Sequence, residues 1–313
     1  MTSLDLRVAT VSEPAPGIRS LTLTSPDGAA LPAFVPGSHL VLELGERANA
    51  YSLTNDGTAP KAYEISVLHV PEGSGGSRYI HKQLSVGDSV AAHLPRSAFP
   101  PVARAARHLL IAAGIGITPI VSHLRAARRW DREVQVLYAY REGAAVHVND
   151  VVDLAGDAAE LLTGGREALC ARMEEVLVDQ PLGTHLYACG PAAMIDATLE
   201  LARTAGWPES RLHSERFGTD ALDPGDPFSV DLTETGTTLD VPSGTTLLDA
   251  LERAGLDVPN LCRQGVCGEC RIPLTAGAPL HRDLFLSAEE KAAGDVLMPC
   301  VSRADGPHLE VPL

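Results

Sequence analysis

Residues 262–270 read CRQGVCGEC and place three thiols in nine positions of a chain that has six cysteines in 313 residues. A fourth stands at Cys300, in LMPCVSR. Thiols this dense serve as disulfides, zinc ligands or iron–sulfur ligands, and their spacing separates the three. Disulfides suit small secreted domains with too little apolar surface to form a core, whereas this length, 45% hydrophobic, can bury several cores. Structural zinc usually shows two C-x2-C-type knuckles, and only Cys267 and Cys270 have that spacing. A plant-type [2Fe-2S] cluster takes C-x4-C-x2-C and a distant cysteine, a pattern that Cys262, Cys267, Cys270 and Cys300 match in full. Gly265 and Gly268 have no side chain to block a backbone that must curl around sulfide. The cluster is the favoured reading, and zinc stays as the alternative.

A second chemistry lies in LLIAAGIGITPI, where Gly114 and Gly116 follow an apolar strand. Glycines there let a ligand approach the backbone, Thr118 can cap the following helix, and Pro119 suits its first turn. A pyrophosphate fits a helix N-terminus of this kind, although the motif lacks the third glycine of the full dinucleotide fingerprint. LYACGPAAM offers a second strand-to-helix junction at Cys189, Gly190 and Pro191. Two such junctions at the carboxyl edge of one sheet mark where doubly wound folds bind ligands. Near the amino terminus, PEGSGGSRYIH supplies consecutive N–H groups that favour an anion such as phosphate, while the tyrosine of NAYSLTN reads equally as strand packing.

The elements needed to hold these motifs follow from periodicity. Before residue 100, six short β segments (LRVATV, IRSLTLT, HLVLEL, AYSLTN, YEISVLHV and SVAAHL) and one helical stretch, SRYIHKQL, predict an antiparallel barrel. From 105 to 215, strands and helices alternate, which predicts a parallel sheet of βαβ units. Pro100 and Pro101 separate the two regions, and GTDALDPGDPF (218–228) reads as a linker. The last segment holds short strands, one helix (TTLLDALERAG) and the cysteine loop. The predicted domains are 1–101, 102–220 and 221–313. The opening MTSLDLRVAT lacks the features of a signal peptide, and no apolar run is long enough to span a bilayer, so a reducing, cytoplasmic setting is expected. A net charge of −15 argues against nucleic acid or an anionic membrane as partner. Residues 221–313 carry 15 acidic and 6 basic side chains against 25 and 19 in the remainder. That acidity serves solubility or steers a basic electron acceptor.

The order AYSL, GGSRYIH, AAGIGITP, YACGP, ERFG and C-x4-C-x2-C…MPC resembles the phthalate dioxygenase reductase family over essentially the whole chain. The resemblance implies an FMN-binding antiparallel β-barrel, an NADH-binding α/β domain and a carboxyl-terminal α+β plant-type ferredoxin (β-grasp) domain. It further implies transfer of electrons from NADH through FMN to a [2Fe-2S] cluster and on to a terminal oxygenase component, Rieske-type in this family. On that basis Asn49, Tyr51, Ser52, Leu53, Val67, Leu68 and His69 would meet the FMN, with Gly75, Gly76 and Ser77 on its phosphate. Thr118 would approach the flavin, and Phe217 would cover its ring. Gly114, Gly116, Cys189, Gly190 and Pro191 would meet NADH, and Cys262, Cys267, Cys270 and Cys300 would hold the irons.

Two departures stand out. The family commonly has arginine where this chain has Asn49, and its phosphate loop often begins with arginine where this chain has Ser74. Arg47 lies four residues from Tyr51, roughly 13 Å along a strand, which leaves Arg78 as the compensating candidate. NADH is preferred over NADPH because YAYREGAAVH supplies only Arg141 for a 2′-phosphate. A cytochrome P450 or other monooxygenase as acceptor, and a redox-sensing iron–sulfur interaction protein, are the alternatives.

Overall fold

The computed structural model describes residues 3–45, 47–73, 75–97, 99–217, 225–260, 263, 265, 267–283 and 285–313. Cys262 and Ser74 therefore lie outside the described residues. The chain divides into two compact units, residues 1–44 with 51–217 and residues 45–50 with 218–313.

The first 100 residues form β1 (Ser3–Ala15), β2 (Ile18–Thr24), β3 (Ser38–Leu44), β4 (Arg47–Ser52), β5 (Ala62–Leu68), α1 (Gly76–Lys82), β6 (Ser89–His93) and the two-residue β7 (Arg96–Ser97). The strand order is β4-β3-β6-β1-β2-β5. Leu53 bridges Ile65 on β5 and donates its N–H to Ser38 O at 2.9 Å, so the two ends of the sheet meet and a barrel closes. Closure removes the unpaired edges that an open sheet would expose. Inward residues such as Leu6, Leu21, Leu23, Leu40, Leu42 and Ile65 form a single core.

The α/β region runs β8 (Arg107–Ala113), α2 (Ile117–Arg129), β9 (Val134–Ala139), α3 (Val148–Ala155), β10 (Ala159–Leu162), α4 (Gly165–Val178), β11 (Thr184–Cys189), α5 (Ala192–Thr204) and β12 (Leu212–Glu215). All neighbours are parallel, in the order β10-β9-β8-β11-β12. Successive side chains of β8 point to opposite faces. Leu110 and Ala112 pack with Ile117, Ile120 and Val151 of α2 and α3, while Leu109 and Ile111 pack with Met173, Met194 and Ile195 of α4 and α5. Both faces are thereby covered, as a parallel sheet requires. The chain leaves β8 toward β9 on one side and returns at β11 on the other, so the crevice of this switch point opens at the carboxyl ends of β8 and β11.

One local expectation is corrected. Thr118 does not cap α2: the helix begins at Ile117, continuing directly from a 3-10 turn over Gly114–Gly116, and Gly116 is its N-cap without a side-chain bond. The Thr118 hydroxyl instead donates to Ile115 O at 2.9 Å.

In the second unit, β13 (Phe228–Leu232), β14 (Thr237–Val241), α6 (Leu247–Arg253), β15 (Ile272–Pro273), β16 (Pro279–Leu280), α7 (Ala288–Ala293), β17 (Val296–Leu297), β18 (Arg303–Ala304) and β19 (His308–Val311) follow one another. β13 lies between antiparallel β14 and parallel β19, and α6 buries Leu247, Leu248 and Leu251 in the same core as Val230 and Leu309. Thr246 caps α6 by accepting from Asp249 N at 3.0 Å. Arg303 is buried in this unit, lies over the Phe228 ring, and donates to the carbonyl oxygens of Thr245 at 2.7 Å, Asp226 at 2.9 Å and Pro242 at 3.1 Å. Arg303→Met would keep the stem but leave these carbonyls without their donor. A loss of about 3 kcal/mol in the unfolding free energy of this unit is expected from urea denaturation, at about 1 kcal/mol for each of the three hydrogen bonds removed.

Candidate functional site: a glycine crevice beside the barrel strand, and a buried cysteine cluster

The two glycine junctions foreseen in the sequence touch each other. A Cβ placed on Gly116 would lie 2.3 Å from Cys189 O and 2.6 Å from Gly190 N. Only hydrogen fits there, and the carboxyl ends of β8 and β11 close to backbone–backbone distance. Pro191 is the N-cap of α5, so two helices start from this crevice with their first N–H groups unpaired within the helix.

The barrel contributes Tyr51 and Ser52 at the end of β4. Ser52 donates to the carboxylate of Glu215, the last residue of β12, which pairs in register with Cys189. Glu215 is fully enclosed, and burial pushes its carboxyl up to about 8, against the Ser52 bond that pulls it down. It therefore carries a proton at neutral pH. Cys189 is also raised well above the usual thiol value, first by burial and then by Glu215. It is a neutral thiol rather than a nucleophile.

Buried polar atoms are normally hydrogen-bonded. Here the Tyr51 hydroxyl, Glu215 Oε2 and His69 Nε2 are buried without a hydrogen-bond partner among the described residues. These orphans fit a polar heterocycle with donors and acceptors on its edge, as the resemblance expects. Val67 is buried at the end of β5, Leu68 is 40% exposed, and the His69 ring lies 5.1 Å from that of His81. Leu53 is wholly buried in the barrel core, so its side chain serves packing. Gly75 is the N-cap of α1, followed by Gly76 and Ser77. The Ser77 hydroxyl is already engaged with Val70, accepting from its N–H at 3.1 Å and donating to its carbonyl at 3.3 Å. Asn49 is buried in β4, and Phe217, just past β12, is 36% exposed.

Of the four cysteines, Cys267, Cys270 and Cys300 are buried, and Cys262 is outside the described residues. Cys270 Sγ lies 3.3 Å from Cys300 Sγ. That is too long for the roughly 2.0 Å of an S–S bond and close enough for both sulfurs to bind one centre. At Gly268 φ is +85°, and a Cβ would lie 2.2 Å from the Phe285 ring. The loop takes a conformation that only glycine adopts without strain. Arg263 fastens the loop to α6 through ion pairs with Asp249 at 3.1 Å and with Glu252, and donates to Asn260 Oδ1 at 3.0 Å. The residues present thus fit a compact cluster held by thiolates.

Sequence reasoning missed Glu215. It stands in the ERFG motif, but its burial arises from the register of β12 on β11 and from Ser52, neither of which has a local signal. It also missed α7, which did have one: Ser287 and Glu290 form a complete capping box.

Residues 88–212 match the model for the N-terminal domain of the dimethylamine monooxygenase subunit DmmA-like family, and residues 230–305 match the 2Fe-2S iron-sulfur cluster binding domain. The second match sets the zinc alternative aside. The chain is 41% identical over 307 residues to the heme-dependent oxidative N-demethylase beta subunit of Ectopseudomonas mendocina (strain ymp), covering 97% of each. It is 34% identical over 319 residues to phthalate dioxygenase reductase of Burkholderia cepacia, covering 99% of this chain and 97% of that one. A solved phthalate dioxygenase reductase, described as a modular structure for electron transfer from pyridine nucleotides to [2Fe-2S], superposes with a TM-score of 0.73 at 33% identity, over 99% of this chain and 98% of the other. No helix of the described residues is long and apolar enough to cross a membrane. The likeness thus extends along whole relatives in both sequence and structure, and the chain belongs to the phthalate dioxygenase reductase family of oxygenase reductase components.

Proposed function

We propose that this protein is the NADH-dependent reductase component of an oxygenase system, working in the cytoplasm and passing electrons through FMN to a [2Fe-2S] cluster and on to a terminal oxygenase. The contact between Ser52 and Glu215 carries the reading, because it brings the strand bearing Tyr51 onto the carboxyl edge of the sheet that holds Gly116 and Cys189. Donor and acceptor sites are thus adjacent. A flavin supplies the conversion of a two-electron hydride donor into single-electron steps that a cluster can take.

The chain's own residues position and insulate. Tyr51, Ser52, Val67, Leu68 and His69 flank the ring, with Asn49 on the same strand as Tyr51. Gly75, Gly76 and Ser77 offer backbone N–H groups to its phosphate. Gly114, Gly116, Cys189, Gly190 and Pro191 admit the dinucleotide, Thr118 fills the first turn of α2, and Phe217 shields the open side. Glu215 keeps a proton in a site closed to water. Cys262, Cys267, Cys270 and Cys300 hold the irons. We divide the chain functionally at 1–101, 102–220 and 221–313. Arg141 is the one arginine in the loop after β9, which supports NADH. A Rieske-type oxygenase is the acceptor implied by the family resemblance; the 41% identity to a subunit of a heme-dependent demethylase favours a haem oxygenase component as the second reading.

Anaerobic titration with NADH tests the proposal: flavin and cluster absorbance should bleach, with two irons and two sulfides per chain. Material without inorganic sulfide, or spectrally inert to NADH, would refute it. The absence of arginine at Asn49 and Ser74 carries a further expectation, since a charge-assisted phosphate bond is about twice as strong as a neutral one. FMN should wash off during passage through roughly 1 M salt, where the screening length falls to about 3 Å. Full retention of flavin on such a column would show that Arg78 or another cation compensates.

A further inference from the structure

The barrel and the α2–α3 layer meet along a seam that the proposed chemistry does not use. At one end the seam is apolar: Ala15, Ile18 and Phe99 pack into the same core as Ile117, Ile120 and Tyr187. At the other end it is polar and loosely filled, with a cavity of about 490 Å³ lined by hydroxyl residues of β1, β2 and β5 and by residues 145–150. Apolar packing cannot hold that end shut, and hydrogen bonds must.

Those bonds converge on His147. It is the N-cap of α3, with φ 60° and ψ 18°, in the left-handed region that side-chain-bearing residues rarely adopt. Both ring nitrogens are engaged. Nε2 lies 2.9 Å from Ser66 Oγ on β5, and Nδ1 lies 2.7 Å from Asp150 Oδ2. The other oxygen of Asp150 accepts from Arg125 Nη2 at 2.8 Å, and Arg125 Nε donates to Thr54 O at 3.0 Å. Asp150 is held below the usual carboxylate range, first by its bond to His147, so it is ionised and bridges the His147 ring and the Arg125 guanidinium. The Ser–His–Asp order resembles a hydrolytic relay, but Ser66 is buried and shares its hydroxyl with Ser20 at 2.7 Å, which makes it a strut.

The clasp reaches both halves of the site. Thr54 follows Tyr51, Ser52 and Leu53 directly, and Asn55 O accepts from Ser122 Oγ of α2 at 3.3 Å. Arg125 lies seven residues along α2 from Thr118, roughly 10 Å at 1.5 Å per residue. We propose that His147 and Arg125, joined through Asp150, are positioning residues for hydride transfer, setting the approach of the nucleotide crevice to the barrel strand that carries Tyr51 and Ser52. This rests on the NADH-to-flavin reading above.

The test uses the full chain with its cofactors and the variants His147→Asn, Arg125→Met and Ser66→Ala. Asparagine tolerates the left-handed backbone, and Ser66→Ala removes one small hydroxyl with its two bonds, to His147 and to Ser20, so at least one variant folds. In anaerobic stopped flow, the limiting rate of flavin bleaching by NADH should fall about tenfold or more in His147→Asn and Arg125→Met, since misplacement of reacting groups by 1 Å can cost 10²-fold. FMN content and the NADH concentration for half-maximal rate should stay within about twofold, and the nicotinamide–flavin charge-transfer absorbance should weaken. In flavin-free protein, amide exchange at Thr54 and Val151, whose N–H groups donate to Glu64 O and His147 O at 2.9 Å, should quicken. Unchanged bleaching rates in all three variants, or losses that merely follow FMN content, overturn the proposal. If wild-type flavin is not bleached by NADH, the functional reading fails instead, and the exchange measurement still decides the clasp, with unchanged protection overturning it.

Discussion

Replacing Cys300 by serine is expected to abolish NADH-dependent reduction of cytochrome c while ferricyanide reduction, which the flavin can serve directly, continues. Cys300 is buried 3.3 Å from Cys270, and the residue before it, Pro299, accepts Leu248 N–H at 2.9 Å, so the start of α6 pins this part of the chain. A hydroxyl is a hard ligand where soft thiolates are wanted, and the nearby Met298 sulfur, 4.0 Å from Cys270 Sγ, is an uncharged thioether that does not replace a thiolate. Loss of even an outer hydrogen bond to a metal ligand typically costs 10–100-fold, and loss of the ligand itself should exceed about 100-fold. The check is the ratio of the two reductase activities together with the visible spectrum. A Cys300→Ser protein that keeps both the cluster absorbance and cytochrome c turnover would contradict the assignment.

Glu215→Gln should change how stability depends on pH. In the folded protein this carboxyl titrates at about 8 rather than its ordinary 4.5 because burial disfavours its charge. Between those values the folded chain binds a proton that the unfolded chain has released, so stability falls as pH rises through the window and levels off above it. At 1.36 kcal/mol per pH unit, the fall across the whole window amounts to about 5 kcal/mol, of which about 4 kcal/mol lies between pH 5 and pH 9. Glutamine has nearly the same shape and no charge to bury. The variant should match the wild type within about 1 kcal/mol at pH 5 and exceed it by up to about 4 kcal/mol at pH 9. Trp130 and Trp207, the chain's two tryptophans, both belong to the unit that contains Glu215, so urea midpoints followed by their fluorescence report on the right transition. Parallel pH curves for the two proteins would show that Glu215 titrates normally.

Much of this arrangement was legible because its signals are local. The alternation in IRSLTLT and the helix–strand alternation after residue 105 each depend on a few adjacent side chains. So does the tight turn at Gly116, which the sequence marks with glycine because no Cβ fits against Cys189. The cysteine spacing could be read because ligand geometry leaves few alternatives. What could not be read depends on contacts between distant segments. Glu215 looks like any solvent-facing glutamate until β12 is laid on β11 and Ser52 closes over it. His147 gives no hint of its left-handed backbone, which Ser66, 81 residues earlier, and Asp150 stabilise jointly. Thr118 was misread as a cap because the 3-10 turn before it shifts the helix start by two residues, a distinction that depends on backbone hydrogen bonds rather than on composition.

The closeness of Gly116 to Cys189 also tells a protein engineer where coenzyme preference can be rewritten. Any enlargement at the crevice collides with main chain on the facing strand, so selectivity for a phosphorylated adenosine cannot be introduced there. The loop after β9 is different: Arg141 and Glu142 are exposed, and the space beside Gly143 is open. Added positive charge on that loop is the way to retarget this reductase toward the other pyridine nucleotide.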